Sequence, residues 1–341
     1  MRYLVLVGLI VGGLLGYYVL WSHLSDQMAA RAEAWIEAQR KQGREAGYES
    51  RRQWGFPYRL SLTLKKAYWA DARLPLAPRL EVEEITAHLQ LWSQQHVIFE
   101  LSGRQGTQWR EAGGERQASL TSERFRASLV TDGAGNWLRL AADLGAPQLR
   151  GPVDGPWRGD WTADKLLLHA RRAENVPPST DLALQADRVT LPPQAETSLG
   201  RLLQGLRLTG TLRGGIYGLT AEEMLSSWRE AGGLIDFTTI ALAWGEVSFN
   251  GTGSLTVDRD FRPLGAMSGA LTAGDQAIAA LQGKGLVGAQ QAAAARQALA
   301  RSPEQTEKGS SFRQAAVTAQ DGRLSLGDVP LLSLPSVLPD R

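Results

Sequence analysis

The chain has 341 residues, 43% of them hydrophobic, which allows one large or two medium domains with packed cores. It contains no cysteine, so disulfide and thiolate chemistry are excluded. Its 37 basic and 35 acidic residues are dispersed, giving a net charge of +2 and no basic block of the kind that binds nucleic acid.

Tyr3 to Trp21 is an apolar run with neither charge nor proline. As a helix it would rise roughly 28 Å at ~1.5 Å per residue, enough to cross the hydrocarbon core of a bilayer. Tyr17, Tyr18 and Trp21 gather at its C-terminal edge, where amphipathic rings favour the membrane–water boundary. The run is read as an uncleaved signal anchor. The alternative is a cleaved signal, whose first small-x-small site is Ala30-Arg31-Ala32. Arg2 and the terminal amine precede the run, while Asp26, Arg31, Glu33 and Glu37 follow it. The positive-inside rule then leaves the N-terminus in the cytoplasm and the body outside. Gly8, Gly12 and Gly16 form a double G-x-x-x-G row, which is either a face for helix pairing or the ordinary glycine content of a membrane helix.

From Ser25 to Gln42 the period is helical. Ser25 is a candidate cap, Trp35 and Ile36 are candidates for docking on the body, and Gly43 and Gly47 close the segment. The period then changes to two. Tyr58, Leu60, Leu62 and Leu64 alternate with polar residues, as do Leu80 and Val82. After a slip at Glu83-Glu84 that suggests a β-bulge, Ile85, Ala87, Leu89 and Leu91 resume. Val97, Phe99 and Leu101 continue the pattern. So do Phe125 to Leu129 and Leu138 to Leu144, joined by an Asp132-Gly133 turn. Short turns between such strands imply antiparallel pairing.

Residues 146–159 are rich in proline and glycine and read as a linker or wide loop. Strands are expected at Lys165–Ala170 and Asp181–Leu191, then a short helix at Glu196–Gln204 and alternation at Leu206, Leu208 and Leu212. Thr220-Ala221-Glu222-Glu223 is a capping box for a helix that Gly232 ends. A meander follows, with turns at Gly245, Asn250-Gly251 and Asp258–Pro263. Asp275–Ala300 is an alanine-rich helical island broken near Gly283–Gly288. Ser302–Ser311 reads as a polar loop, Asp321-Gly322 as a hairpin turn, and the tail after Gly327 as extended. The fold class is therefore α+β: a transmembrane helix, then mainly antiparallel sheet with a few packing helices. The predicted organisation is a membrane segment at 1–22, an amphipathic helix at 23–47, a β-rich lobe at 48–195 and a second with helices at 196–341. Residues 146–160 are an alternative division.

No motif carries chemistry. Gly283-Lys284-Gly285-Leu286-Val287-Gly288 matches G-x-G-x-x-G but follows an alanine-rich helix, so it reads as a helix break. His23, His88, His96 and His169 are not at metal-ligand spacing, and His88 is expected to face solvent. No catalytic residue, metal site or cofactor is assigned, and an enzyme is the least favoured class.

Trp54-Gly55-Phe56-Pro57-Tyr58-Arg59-Leu60, Leu242-Ala243-Trp244-Gly245 and Asp321-Gly322-Arg323-Leu324-Ser325-Leu326-Gly327 follow the anchor in order. With these pieces the chain resembles the bacterial family called domain of unknown function 2125. It departs after Gly327, at Asp328-Val329-Pro330-Leu331-Leu332, where a more regular close is expected. The resemblance implies a Gram-negative envelope protein, single-pass in the inner membrane and facing the periplasm, and transfers no site residues. The layout is also similar to that of AsmA-like envelope proteins, which are associated with lipid transport. Two functions are carried forward. The first is binding of a lipid, acyl chain or other hydrophobic ligand in an apolar groove lined by Leu60, Leu62, Leu89, Leu91, Phe99, Leu138 and Leu140. The second is a non-enzymatic envelope scaffold.

Overall fold

The structure is a computed structural model, which describes residues 2–74, 76–111, 114–152, 158–173, 179–218, 220–307 and 310–338. The chain divides into two units, the first ending near Leu144 and the second running from Gly145 onward, with residues 145–152 shared between them. Residue 195 lies inside unit 2. Gly155, Pro156, Trp157 and Pro339 fall outside the described residues.

Unit 1 begins with α1 (Arg2–Lys41), followed by β1 (Glu45–Gly47), β2 (Ser50–Trp54), β3 (Arg59–Ala70), β4 (Arg79–Gln90), β5 (Ser93–Glu111), β6 (Gly114–Thr121), β7 (Arg124–Thr131) and β8 (Trp137–Gly145). The apolar run and the amphipathic segment form one uninterrupted helix, not two. Ser25 is therefore not a cap. It is buried in mid-helix, where its carbonyl and Oγ accept from Gln53 Nε2 at 2.8 and 3.2 Å. Ile36 docks on the body, whereas Trp35 points to solvent at 54% exposure, because a helix turns neighbouring residues about 100° apart. The helix stops at Lys41 and Gly43 takes the left-handed conformation beyond it; Gly47 belongs to β1.

β1 and β2 pair with successive halves of β3, β3 pairs with β4, and β4 with β5. The long β5 pairs with β7 along its first half and with β6 along its second. All these ladders are antiparallel. The expected bulge is present but sits on the partner strand: Gly103 and Arg104 of β5 oppose Glu83 alone. Gly103 adopts φ +72° there, and Glu83 Oε2 accepts the Arg104 N–H at 3.0 Å. At the far end of β3, buried Asp71 accepts from Arg73 and Arg44, which hold its carboxyl well below the usual carboxylate range.

β9 (Gln148–Arg150) lies in the shared stretch. Unit 2 contains β10 (Asp160–Thr162), β11 (Lys165–Arg172), β12 (Ser179–Thr190), β13 (Leu202–Arg213), α2 (Ala221–Glu230), β14 (Leu234–Trp244), β15 (Val247–Val257) and β16 (Pro263–Thr272). α3 (Gly274–Gly283), α4 (Ala289–Arg301), β17 (Glu304–Glu307), β18 (Ser310–Gln320), β19 (Arg323–Leu326) and β20 (Val329–Ser333) follow. β11 to β16 form an antiparallel meander that continues through β18 to β17 on one stretch and to β19 and β20 on the other. The capping box is complete, with Thr220 Oγ1 accepting from Glu223 N at 3.2 Å and Glu223 accepting from Thr220 N at 3.2 Å. Asp321 and Gly322 both take positive φ, as the tight turn between β18 and β19 requires.

Three expectations fail in unit 2. Glu196–Gln204 is not a helix. A 3-10 turn at Pro193–Ala195 is followed by a turn in which Thr197 accepts from Leu199 and Gly200, and β13 begins at Leu202. Asn250-Gly251 is not a turn but the middle of β15, where it pairs with Ala270 and Gly269. Ser302–Ser311 is not a loop, since Glu304–Glu307 pairs with Ser310–Arg313 as a hairpin.

The core of unit 2 lies under α3 and α4. Ala292 and Ala295 are wholly buried together with Ile278, Val287 and Leu299, against Ala315, Leu326 and Leu331 of the sheet. Alanine at the contact lets a helix approach closely, and the glycines at 283 to 288 serve the α3–α4 connection, with Gly285 at φ +69°.

Candidate functional site

Residues that oppose one another across an antiparallel ladder share a face. In unit 1 this gives the row Leu60–Leu89–Val97–Leu129 and, beside it, Leu62–Ala87–Phe99–Ala127, each running from β3 through β4 and β5 to β7. Gln53 opposes Leu62 and Arg51 opposes Leu64. Both reach α1, Gln53 at Ser25 and Arg51 at Glu33 (2.9 Å), so α1 lies across this leucine face. Its packing is on β1 and β3. Accordingly Leu60 and Leu62 are sealed, while Leu89, Val97, Phe99 and Leu129 further along the rows stay half-buried.

Of the seven candidate lining residues, the rows bring together Leu60, Leu62, Leu89 and Phe99. Leu91 lies half-buried just past the end of β4. Leu138 and Leu140 stand on β8, outside these rows, and Leu140 is exposed.

A matching arrangement in unit 2 is absent from the sequence reading. Leu166–Ala186–Leu206–Leu242–Phe249–Leu271 is one cross-strand row, and Leu168–Leu184–Leu208–Ile240 lies beside it. Leu271, at the β16 end, packs against the core beneath α3 and α4, whereas Leu184, Leu206, Leu208 and Ile240 are half-buried. The signal was available in the alternation of β11 to β14. It was hidden by the helix expected at Glu196–Gln204, which cuts the run of strands.

The opposite face of the unit 1 sheet is polar and partly sealed. Ser61 Oγ lies 2.9 Å from His88 Nδ1, and Thr63 Oγ1 lies 2.9 Å from Thr86 Oγ1. The Trp54 indole donates to Thr63 at 3.0 Å and meets the His88 ring edge-on at 5.8 Å. His88 Nε2 is 3.5 Å from Glu100 Oε2, and the other oxygen of that carboxylate, Oε1, pairs with Arg126 Nε at 2.9 Å. His88 is thus buried, contrary to the solvent-facing position read from alternation: the face was assigned correctly, but Trp54 covers it. Burial, and next the charge of Arg59, push the His88 pKa down against the opposing pull of Glu100. Serine, histidine and glutamate in contact have the composition of a nucleophilic triad. Ser61 is only 1% exposed, so its hydroxyl has no route to a substrate, and the geometry serves as a buried polar ladder.

Beyond the β-bulge lies a cleft of about 600 Å3, lined by Tyr48, Lys66, Tyr68, Arg79, Glu83 and Arg104 among others. Within it Lys66 pairs with Glu49 at 2.5 Å, and Arg79 pairs with Glu81 at 2.7 Å and lies over the Tyr68 ring at 5.3 Å. Polar and apolar surface line it in nearly equal measure, and it contains none of the seven candidate residues. Among the described residues no group of three or more His, Asp or Glu side chains is placed to hold a metal ion.

α1 (Arg2–Lys41) is, by length and composition, long and apolar enough to cross a membrane. A Cβ built on Gly8, Gly12 or Gly16 meets nothing within 4 Å among the described residues, so that stripe is open. No curated protein and no solved structure matches the chain. Residues 21–335, covering both units and the helix that docks on the first, match the family described as "Uncharacterized protein conserved in bacteria (DUF2125)", and the chain belongs to that family.

Proposed function

We propose that this is a membrane-anchored envelope protein, body in the periplasm, that takes an acyl chain against the leucine face of unit 1. The observation that carries the reading is the half-cover of that face. α1 seals the β3 end of the rows, and Leu89 and Phe99 remain accessible on the same rows. The covering part of the helix runs directly on from the apolar run, so an open apolar surface begins close to the level where acyl chains are available. Burying a methylene from water is worth about 0.8 kcal/mol, but a bilayer is already apolar. Uptake from the membrane onto such a face is then close to balanced, which suits transfer better than storage. The layout similar to AsmA-like proteins points the same way, as an analogy of architecture only.

An uncleaved anchor is supported by the docking of α1. Trp21, Ser25 and Ala29 are buried against the body, and cleavage after Ala32 would remove all three. A reporter fused after the C-terminus that works only outside the cytoplasm should be active; activity of a cytoplasm-only reporter there would reverse the topology. For binding, the full chain in nanodiscs containing a photoreactive phospholipid should give adducts on β4 and β5 peptides around Leu89 and Phe99. Phe99→Arg should diminish those adducts severalfold while adducts on residues 3–21 persist. Adducts confined to residues 3–21 in the wild type would sink ligand binding and leave the scaffold reading ahead.

A further inference from the structure

We infer that the Gly55–Arg59 loop and the β4–β5 turn form an aromatic seat by which the body rests on the bilayer interface around its own anchor. This rests on the anchored reading above.

The loop is clamped to the top of the apolar run. Phe56 packs on Tyr17, Tyr18 and Trp21 with ring centroids 5.9, 5.5 and 5.6 Å apart. Tyr17 Oη donates to the Pro57 carbonyl, and Trp21 Nε1 donates to the Arg59 carbonyl at 2.9 Å. These contacts fix the height of the loop relative to the membrane. Tyr17 and Trp21 are one helical turn apart, about 6 Å at ~1.5 Å per residue, and they end the apolar run. The interfacial zone on each side of a bilayer is of similar depth, roughly 5–7 Å. The loop therefore lies at headgroup level.

The same height is shared by the next connection in the sheet. Arg59 pairs with Gln90, so Tyr58 and the Leu91-Trp92 turn lie just beyond the same end of the ladder. Tyr58 is 78% exposed and Trp92 is 75% exposed, so among the described residues neither ring is covered by the body. Two large amphipathic rings left free at the level of the anchor's own aromatic belt match the chemistry of the interface, where one side of a ring is apolar and the other wet. α1 continues from this level along β3, reaching Gln53 through Ser25, Arg51 through Glu33, and Trp69 through Gln39. The seat thus sets unit 1 with its strands running away from the bilayer and the Leu60–Leu89–Val97–Leu129 row, one residue in from the seat, as the leucine row nearest to it.

The lack of cysteine makes a site-specific test direct. Tyr58→Cys and Trp92→Cys would each carry a nitroxide label in the full chain, reconstituted in phosphatidylcholine–phosphatidylglycerol vesicles. Leu76→Cys, exposed in the β3–β4 connection at the opposite end of the sheet, is the control. Collisional relaxation by an aqueous nickel chelate should be severalfold weaker at 58 and 92 than at 76, while relaxation by oxygen is stronger. Equal access of the chelate to all three positions, in protein that floats with the vesicles, overturns the seat and leaves the anchor intact. Protein that fails to float overturns the anchored reading and the seat with it.

Discussion

In unit 1 the apolar face of the sheet is covered by a single 40-residue helix lying along one edge, and the opposite face buries a ladder of hydroxyls and an imidazole. In unit 2 the cover is a pair of short alanine-rich helices, and everything sealed beneath them is apolar. Both units leave leucines of these rows half-buried, and in unit 2 Leu168 is exposed. The difference lies in what closure demands. The α3–α4 hairpin packs closely through its alanines, with Ala292 and Ala295 wholly buried. The first half of α1 is an apolar run, a candidate membrane segment, and the helix packs on the body through Tyr17, Tyr18 and the turns from Trp21 onward. Unit 1 then relies on Trp54 and on cross-strand hydrogen bonds for order on its other face.

Changes to the sealed part of unit 2 should have the largest effect. Ala295→Asp places a charge where no water reaches, at a cost of several kcal/mol, comparable with the whole stability of a domain, about 5–15 kcal/mol. Limited proteolysis should then digest unit 2 while residues 25–144 persist. Joint digestion of both units would show that they do not fold separately. Ile278→Ala should cost about 2–5 kcal/mol by leaving a cavity under α3. Ser61→Ala comes next. It strands the buried His88 Nδ1 and should cost about 1–3 kcal/mol in denaturant melts of unit 1. Leu208→Ala, on the half-buried rows of unit 2, should cost only about 1 kcal/mol. If it costs as much as Ile278→Ala, the rows are covered and the comparison between sealed and open regions fails.

Much of this architecture is legible in the residues. Period-two alternation locates β3, β4, β5 and β7, the capping box locates α2, and Asp321-Gly322 locates the last hairpin, because each is a local device with a local cause. What alternation cannot supply is cover. It assigns Leu60 and Leu89 to one face and His88 to the other, but the burial of Leu60 depends on α1 and that of His88 on Trp54, both remote in sequence. Asn250-Gly251 has the composition of a turn, yet Gly251 sits in mid-strand because a Cβ there would lie 2.2 Å from the Ser268 carbonyl oxygen. The glycine is required by a neighbouring strand, a constraint with no local signature. The continuity of α1 was hidden in the same way. Ser25 resembles a cap, but its hydrogen bonding is with Gln53 of β2. Of the candidate site, the leucine rows of unit 1 could be read from pattern, whereas those of unit 2 required the register.

The smallest expected effect is a pH dependence that separates the two units through the one buried imidazole. Burial and the charge of Arg59 lower the His88 pKa in the folded protein below its ordinary value near 6.5. Above pH 6.5 the ring is neutral in both states and contributes no pH dependence. As pH falls below 6.5, the unfolded chain takes up a proton that the folded chain refuses, so stability declines. Below the lowered folded value the ring is protonated in both states and the loss levels off. One proton limits the slope to about 1.4 kcal/mol per pH unit. Asp71, Asp132 and Asp181 also have lowered values, but their stabilisation persists above the ordinary carboxylate range and is lost only in stronger acid. The interval from pH 6.5 to about 5 therefore isolates His88 from those carboxylates. Urea melts at pH 7.5, 6.5 and 5.5 should show unit 1 weakening through that interval, with a flatter profile in His88→Gln. Glu100→Gln gives the sign an independent check. Its carboxylate favours the protonated ring, so removing it should lower the folded value further and extend the decline to lower pH. Identical profiles for wild type and His88→Gln would remove His88 as the cause, and a shortened decline in Glu100→Gln would mean that the carboxylate does not act on the ring as its position indicates.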